Sequence, residues 1–243
     1  MKASLSHRLA AEFIGTAFLV AAVVGSGIMG ERLSGGNVAI ALLANTIATG
    51  AVLVVLILAF ADISGAHFNP AVSLVDALAG GLAWSDAGSY VLIQCLGGVT
   101  GTMAAHLMFG LPLISLSRHA RSGPAQMFSE FVATFGLLVV IWACSKLRPS
   151  MVALAVGAYI TSAYWFTGST SFANPAVTIA RCLSDTFAGI RPVDVPGFIA
   201  AQLLGALAAL LLCRWLIPAR DAEDTGTVLS EKPVYTGRRL KAR

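Results

Sequence analysis

The triplet Asn-Pro-Ala occurs twice, as Asn69, Pro70, Ala71 and as Asn174, Pro175, Ala176, each time inside an apolar stretch. Asn is among the side chains that cap a helix start through a side-chain oxygen. Proline is favoured at the first helical position, where no backbone N–H is needed. Each triplet therefore reads as the beginning of a helix, with its Asn as the cap. The Asn amide hydrogens stay available to donate to whatever passes. A helix N-terminus carries about half a positive charge. Two such ends meeting within a membrane would orient water oxygens inward and repel cations and protons. That is the chemistry of a pore or midplane site rather than of bond breaking.

The elements that hold these triplets follow from charge spacing. The chain has 243 residues, 57% hydrophobic and 12% charged. Ordinary soluble domains carry about 25% charged residues, so an ordinary soluble enzyme is excluded. No Asp, Glu, Lys or Arg lies between Glu12 and Glu31, Arg32 and Asp62, Asp86 and Arg118, Glu130 and Lys146, Arg148 and Arg181, or Asp194 and Arg214. A bilayer core of about 30 Å needs about 20 apolar helical residues. The gaps thus predict six spans near 9–30, 38–61, 87–109, 126–146, 150–167 and 196–217. The fifth is short, as suits a helix that gives way to a loop before the second triplet.

Lys2 and Arg8, Lys146 and Arg148, and the basic run from Arg214 to Arg243 then fall on one side. Lys and Arg accumulate on the cytoplasmic side, which places both termini in the cytoplasm of a multi-pass inner-membrane protein. The basic tail reads as a contact with anionic lipid rather than with nucleic acid. With no evident cleavage site before Glu31, the first span is expected to stay in the mature protein. Cys95, Cys144, Cys182 and Cys213 lack metal-ligand spacing and read as packing residues. His67, His106 and His119 are too dispersed for a zinc site. No nucleophile–base pair or phosphate loop is present. Neither an enzyme nor a cofactor is expected.

The chain also repeats itself. Ala11-Glu12-Phe13-Ile14-Gly15-Thr16 is echoed by Ser129-Glu130-Phe131-Val132-Ala133-Thr134, and Gln94-Cys95-Leu96-Gly97 by Gln202-Leu203-Leu204-Gly205. Three spans per half is an odd number, so the second half inserts upside down. The expected division is residues 1–115 with a half-helix at 69–79, a connection at 116–124, residues 125–218 with a half-helix at 174–184, and a polar cytoplasmic tail at 219–243. Ten residues rise about 15 Å, half the hydrocarbon core. The fold class is all-α: six transmembrane helices plus two re-entrant half-helices in an inverted repeat. Gly97 and Gly101 form a G-x-x-x-G pattern that lets helices approach closely, and Gly205 with Ala209 repeats it.

These motifs, with Ser64-Gly65-Ala66-His67-Phe68 leading into the first triplet, resemble the aquaporin and aquaglyceroporin family, the major intrinsic proteins. The resemblance runs from about Leu9 to Leu216 and implies a homotetramer with one pore per subunit. In most members of that family an Arg follows the second Asn-Pro-Ala and projects into a selectivity filter. Here that position is Val177, and the resemblance assigns the other filter positions to Thr49, Ser171 and either Ser162 or, with a gap, Tyr164. Arg181 is expected near the outer end of its half-helix, unable to replace the missing charge. One charge at 4 Å and an effective dielectric of 20 contributes about 4 kcal/mol against a cation. A filter without it is wider and less polar. The Thr-and-Val filter resembles bacterial aquaglyceroporins linked to arsenic detoxification, which implies passage of water, glycerol, urea and the neutral arsenous and antimonous acids, with methylated arsenicals as further candidates.

Glu12 and Glu130 occupy equivalent points of the two halves. They read as acceptors for unpaired N–H groups of the re-entrant loops, with His67 also holding its loop. The sharper alternative is a proton relay in a proton-coupled carrier; a non-conducting junctional scaffold on the same fold is a third reading.

Overall fold

The computed structural model describes residues 3–217; the tail at 219–243 and Lys2 lie outside them. Among the described residues there are helices and no strands: α1 (Leu5–Leu33), α2 (Val38–Ser64), α3 (Pro70–Ala79), α4 (Trp84–Met108), α5 (Pro124–Leu147), α6 (Val152–Phe166), α7 (Pro175–Arg181) and α8 (Val195–Leu216). Five of them are long and apolar enough to cross a membrane. The sixth span is α6, whose 15 residues are preceded by a 3-10 turn at Pro149–Met151.

Local chemistry sets the ends. Asn37 caps α2 by accepting from the Ala39 and Ile40 amides at 3.1 and 3.2 Å. Asn69 caps α3 and Asn174 caps α7, each with Pro at the first turn. Gly80, at φ 85°, closes α3 in the left-handed conformation. The second half-helix departs from its expected span of 174–184: α7 ends at Arg181 after seven residues. Beyond it the chain tightens into i→i−3 bonds, Cys182 N–H to Ile179 O at 3.3 Å, Leu183 to Ala180 at 3.2 Å and Ser184 to Arg181 at 3.3 Å. Such bonds satisfy carbonyls at a helix end without extending the α pattern.

Small residues bring the helices together. A Cβ on Gly101 would stand 2.2 Å from the Ala17 carbonyl oxygen, and one on Gly97 2.6 Å from that of Phe13, so α4 lies directly on α1. Gly205 meets the Phe131 carbonyl in the same way, 2.4 Å from its would-be Cβ, and joins α8 to α5.

Hydrogen bonds fix which ends share a face. Arg8 pairs with Asp86 at 2.8 Å, so α1 and α4 start together. Arg214, near the end of α8, donates to Leu78 O of α3 at 2.7 Å. Ala77 of α3 packs in one cluster with Ala87 and Tyr90 of α4 and Leu9 of α1, so the ends of α3 and α8 join the starts of α1 and α4. On the other face His106, late in α4, meets Ser184 just past α7 at 2.8 Å. Arg32, late in α1, donates to Phe109 O at 3.1 Å. The two half-helices therefore exit on opposite faces, here called the α3 mouth and the α7 mouth. Large apolar side chains ring the outside, among them Phe18, Leu58, Leu92, Leu211 and Trp215.

Candidate functional site: a pore between two half-helices

The loops before α3 and α7 are built alike. Gly65, Ala66 and Phe68 have positive φ, and so do Thr170, Ser171 and Ala173 at the equivalent positions. Five of these six are not glycine, and each such residue costs about 1–3 kcal/mol of strain that persists only where its surroundings hold it. Glu12 holds the first loop. Its Oε1 accepts from Ser64 Oγ at 2.7 Å and the His67 amide at 2.9 Å; its Oε2 accepts from the Phe68 amide at 2.7 Å and Gln94 Nε2 at 2.8 Å. Glu130 holds the second, accepting from the Phe172 and Ala173 amides at 2.9 Å each and from Gln202 Nε2 at 2.6 Å. Gln94 then reaches Ser73 and Gln202 reaches Thr178, both at 2.9 Å, which ties each loop to its own half-helix. Both glutamates are fully buried. Neither borders the cavity described below.

The loops clasp each other at the helix starts. Asn69 Nδ2 donates to Ala173 O and Asn174 Nδ2 donates to Phe68 O, both at 2.7 Å. Each Asn oxygen meanwhile caps its own helix, accepting from Ala71 N–H at 2.9 Å and from Ala176 N–H at 3.0 Å. One amide hydrogen of each Asn is therefore committed to the clasp. Only the second remains for the lumen, where the sequence left both free.

A cavity of about 450 Å³ runs past this clasp. Leu19, Val23, Leu53, Ile57, Val72 and Ile160 supply much of its apolar wall. Asn69 and Asn174 border its middle; His67 and Asp76 border it toward the α3 mouth, with Lys146 and Arg214. Toward the α7 mouth it is bordered by Thr49, Tyr164, Ser171, Val177 and Arg181. Thr49 Oγ1 and the Tyr164 hydroxyl are 3.2 Å apart. His67 places Nδ1 3.0 Å from Ser73 Oγ and Nε2 3.6 Å from Asp76, so its ring braces the first loop against α3.

One sequence expectation is corrected here. Ser162 is not at the cavity: it is exposed and its hydroxyl donates to Tyr159 O at 2.7 Å. The inward face of α6 is Val152, Val156, Ile160 and Tyr164, a spacing of four. Ser162 lies two residues off that row, about 200° around the helix, so Tyr164 takes the place. Arg181 ends α7, as expected from its spacing, and is buried at the cavity wall there. The signal was available: Arg181 is four residues after Val177, one turn along the same face.

The sequence alone gave Arg121 no role at the site. It lies in the loop between α4 and α5 and is buried, with its guanidinium donating to Gly189 O at 2.8 Å and Ser169 O at 3.0 Å. Burial pushes this guanidinium down to about 10, which leaves it charged at neutral pH. A lone Arg in a polar loop carried no pattern to mark it.

Comparison with known proteins follows the same lines. The family description "Major intrinsic protein" matches residues 1–150 and 144–242. The chain is 57% identical over 217 residues to aquaglyceroporin AqpS of Rhizobium meliloti (strain 1021), covering 89% of this chain and 93% of that one. It is 32% identical over 223 residues to aquaporin NIP1-4 of Oryza sativa subsp. japonica, covering 87% and 79%. Among solved structures, the aquaglyceroporin from Plasmodium falciparum aligns with a TM-score of 0.67 at 23% identity, over 87% of this chain and 95% of that one, a likeness of fold.

Proposed function

The chain belongs to the major intrinsic protein family, whose members are channels and not enzymes, and we propose that it is a passive channel for water and small uncharged solutes, glycerol foremost. The observation that carries this reading is the reciprocal Asn69–Asn174 clasp set on the wall of one cavity that reaches toward both mouths. Such a lumen offers one amide hydrogen from each Asn and otherwise largely apolar walls. It suits a solute that exchanges a few water hydrogen bonds for these donors and carries no charge.

The selectivity filter in this reading is Thr49, Tyr164, Ser171 and Val177. With Val rather than Arg after the second Asn-Pro-Ala, the constriction is wide enough for urea and for arsenous and antimonous acids, neutral molecules of glycerol size, and for methylated arsenicals. The same reading includes two inverted halves meeting at 116–124, a homotetramer, and lipid against the exposed apolar residues of the outer surface. It places the chain in the inner membrane with both termini cytoplasmic, on the strength of Arg220, Lys232, Arg238, Arg239, Lys241 and Arg243 in the tail. The opposite face carries Arg32, Arg118, Arg121 and Arg191.

Reconstituted vesicles, followed by stopped-flow light scattering, test it. Water, glycerol, urea and arsenite are each expected to cross faster than through empty vesicles, downhill and without a proton gradient. No flux above empty vesicles would refute the channel, and uphill uptake driven by protons would replace it with a carrier.

A further inference from the structure

Arg181 ends α7, one turn beyond Val177, and is 2% exposed. Its Nε donates to Ala188 O, and its guanidinium lies 3.4 Å from the centre of the Phe172 ring. Among the described residues its Nη1 has no partner, and the side chain borders the pore cavity. Ser171 borders the same mouth, and its Oγ likewise has no partner among the described residues. Among the described residues no carboxylate oxygen lies within 4.0 Å of the guanidinium of Arg181 or of that of Arg121, which is 5.0 Å from the same Phe172 ring. A buried charge without a counter-ion is destabilising. A residue needed only for packing there would be served better by an apolar side chain.

The internal repeat gives independent support. Arg181 follows Asn174 by seven residues, as Asp76 follows Asn69, and Asp76 also borders the cavity. This position faces the lumen in both halves, and it carries opposite charge at the two mouths.

We infer that Arg181 is the charge-bearing selectivity residue of this pore, set one helical turn outward from Val177: its Nη1, with the Ser171 hydroxyl, receives the oxygen atoms of polyols and neutral oxoacids, and its charge turns back monovalent cations. The assignment rests on the channel reading above. It separates width from charge. Val177 leaves the narrow part open to larger solutes, while the guanidinium one turn away keeps ions out.

The test uses the full chain in liposomes. Arg181→Leu is expected to raise potassium or proton entry about tenfold over the wild type, with Arg181→Lys restoring most of the exclusion, since one unscreened charge at a few ångströms is a barrier of that order or more. Arg181→Cys is expected to lose glycerol flux on adding an anionic methanethiosulfonate reagent, while the wild type, which keeps Cys182, does not. If the leucine variant is not recovered folded, the lysine and cysteine variants carry the test, with ion entry read in Arg181→Cys before labelling. Ion entry unchanged from wild type, or labelling without effect on glycerol flux, overturns the assignment. A wild type that conducts glycerol while either arm fails leaves the channel reading standing; a wild type that passes no solute removes both.

Discussion

Replacing Glu12 with Gln separates a loop support from a proton relay. In the wild type each Glu12 oxygen accepts two bonds, Oε1 from Ser64 Oγ and the His67 amide, Oε2 from the Phe68 amide and Gln94 Nε2. Glutamine offers one oxygen, and its NH2 must face two donors. Two bonds to a charged acceptor are lost, at about 1.5–3 kcal/mol each, so the change costs about 3–6 kcal/mol. That approaches the whole stability of many domains, about 5–15 kcal/mol. Glu130 predicts a milder result. Its Oε2 takes the Ala173 amide and Gln202, but its Oε1 takes only the Phe172 amide. A Gln there can keep its oxygen on the busier side and lose one bond, about 1.5–3 kcal/mol. Thermal unfolding of purified protein in detergent, read by intrinsic fluorescence, should rank wild type above Glu130→Gln and Glu130→Gln above Glu12→Gln. Vesicles of Glu12→Gln should lose water and glycerol flux together, because the loop that carries Asn69 is released. An unchanged melting midpoint for Glu12→Gln refutes the support argument. So does intact downhill flux with loss of proton-driven uptake alone.

Val177→Arg fills the cavity wall one turn from Arg181 and should cut glycerol and arsenite permeability at least about tenfold while water still passes; equal passage of every solute in stopped flow would show that Val177 is not at the constriction. Its two guanidiniums, about 6 Å apart, repel by about 3 kcal/mol at a dielectric of 20, so the variant should also melt earlier than Val177→Leu. Asn69→Ala removes the cap on Ala71 and the clasp to Ala173 and should cost about 1–3 kcal/mol of stability, with Asn69→Ala and Asn174→Ala together departing from additivity because the two clasps share one interface. Gly101→Leu must displace the Ala17 backbone and should destabilise by about 1–3 kcal/mol or more; unchanged melting would mean that α1 and α4 stand farther apart than the close glycine contact requires.

The sequence by itself determined the helices and their starts. Apolar stretches between charges locate spans because a bilayer tolerates few charges, and Asn followed by Pro marks a helix start because cap and N1 preferences are local. The same reasoning reached Glu12, Glu130, Gln94 and Gln202, whose spacing repeats in both halves. Tertiary structure decided what lies across from what. The clasp joins residues 104 and 106 positions apart, and no local preference encodes which carbonyl an Asn amide will meet. The rotation of α6 that turns Tyr164 inward and Ser162 outward depends on packing against α2, where a Cβ on Gly157 would stand 2.7 Å from the Gly50 carbonyl oxygen, and a count from Asn174 through a loop of variable length cannot recover it. Arg181 is the sharpest case. Its distance along the chain from Val177 was legible, but whether a guanidinium at the end of a short helix turns to solvent or to the lumen is settled by Phe172 and Ala188 folding over it, contacts made by the loops on either side of α7 and not by the helix itself.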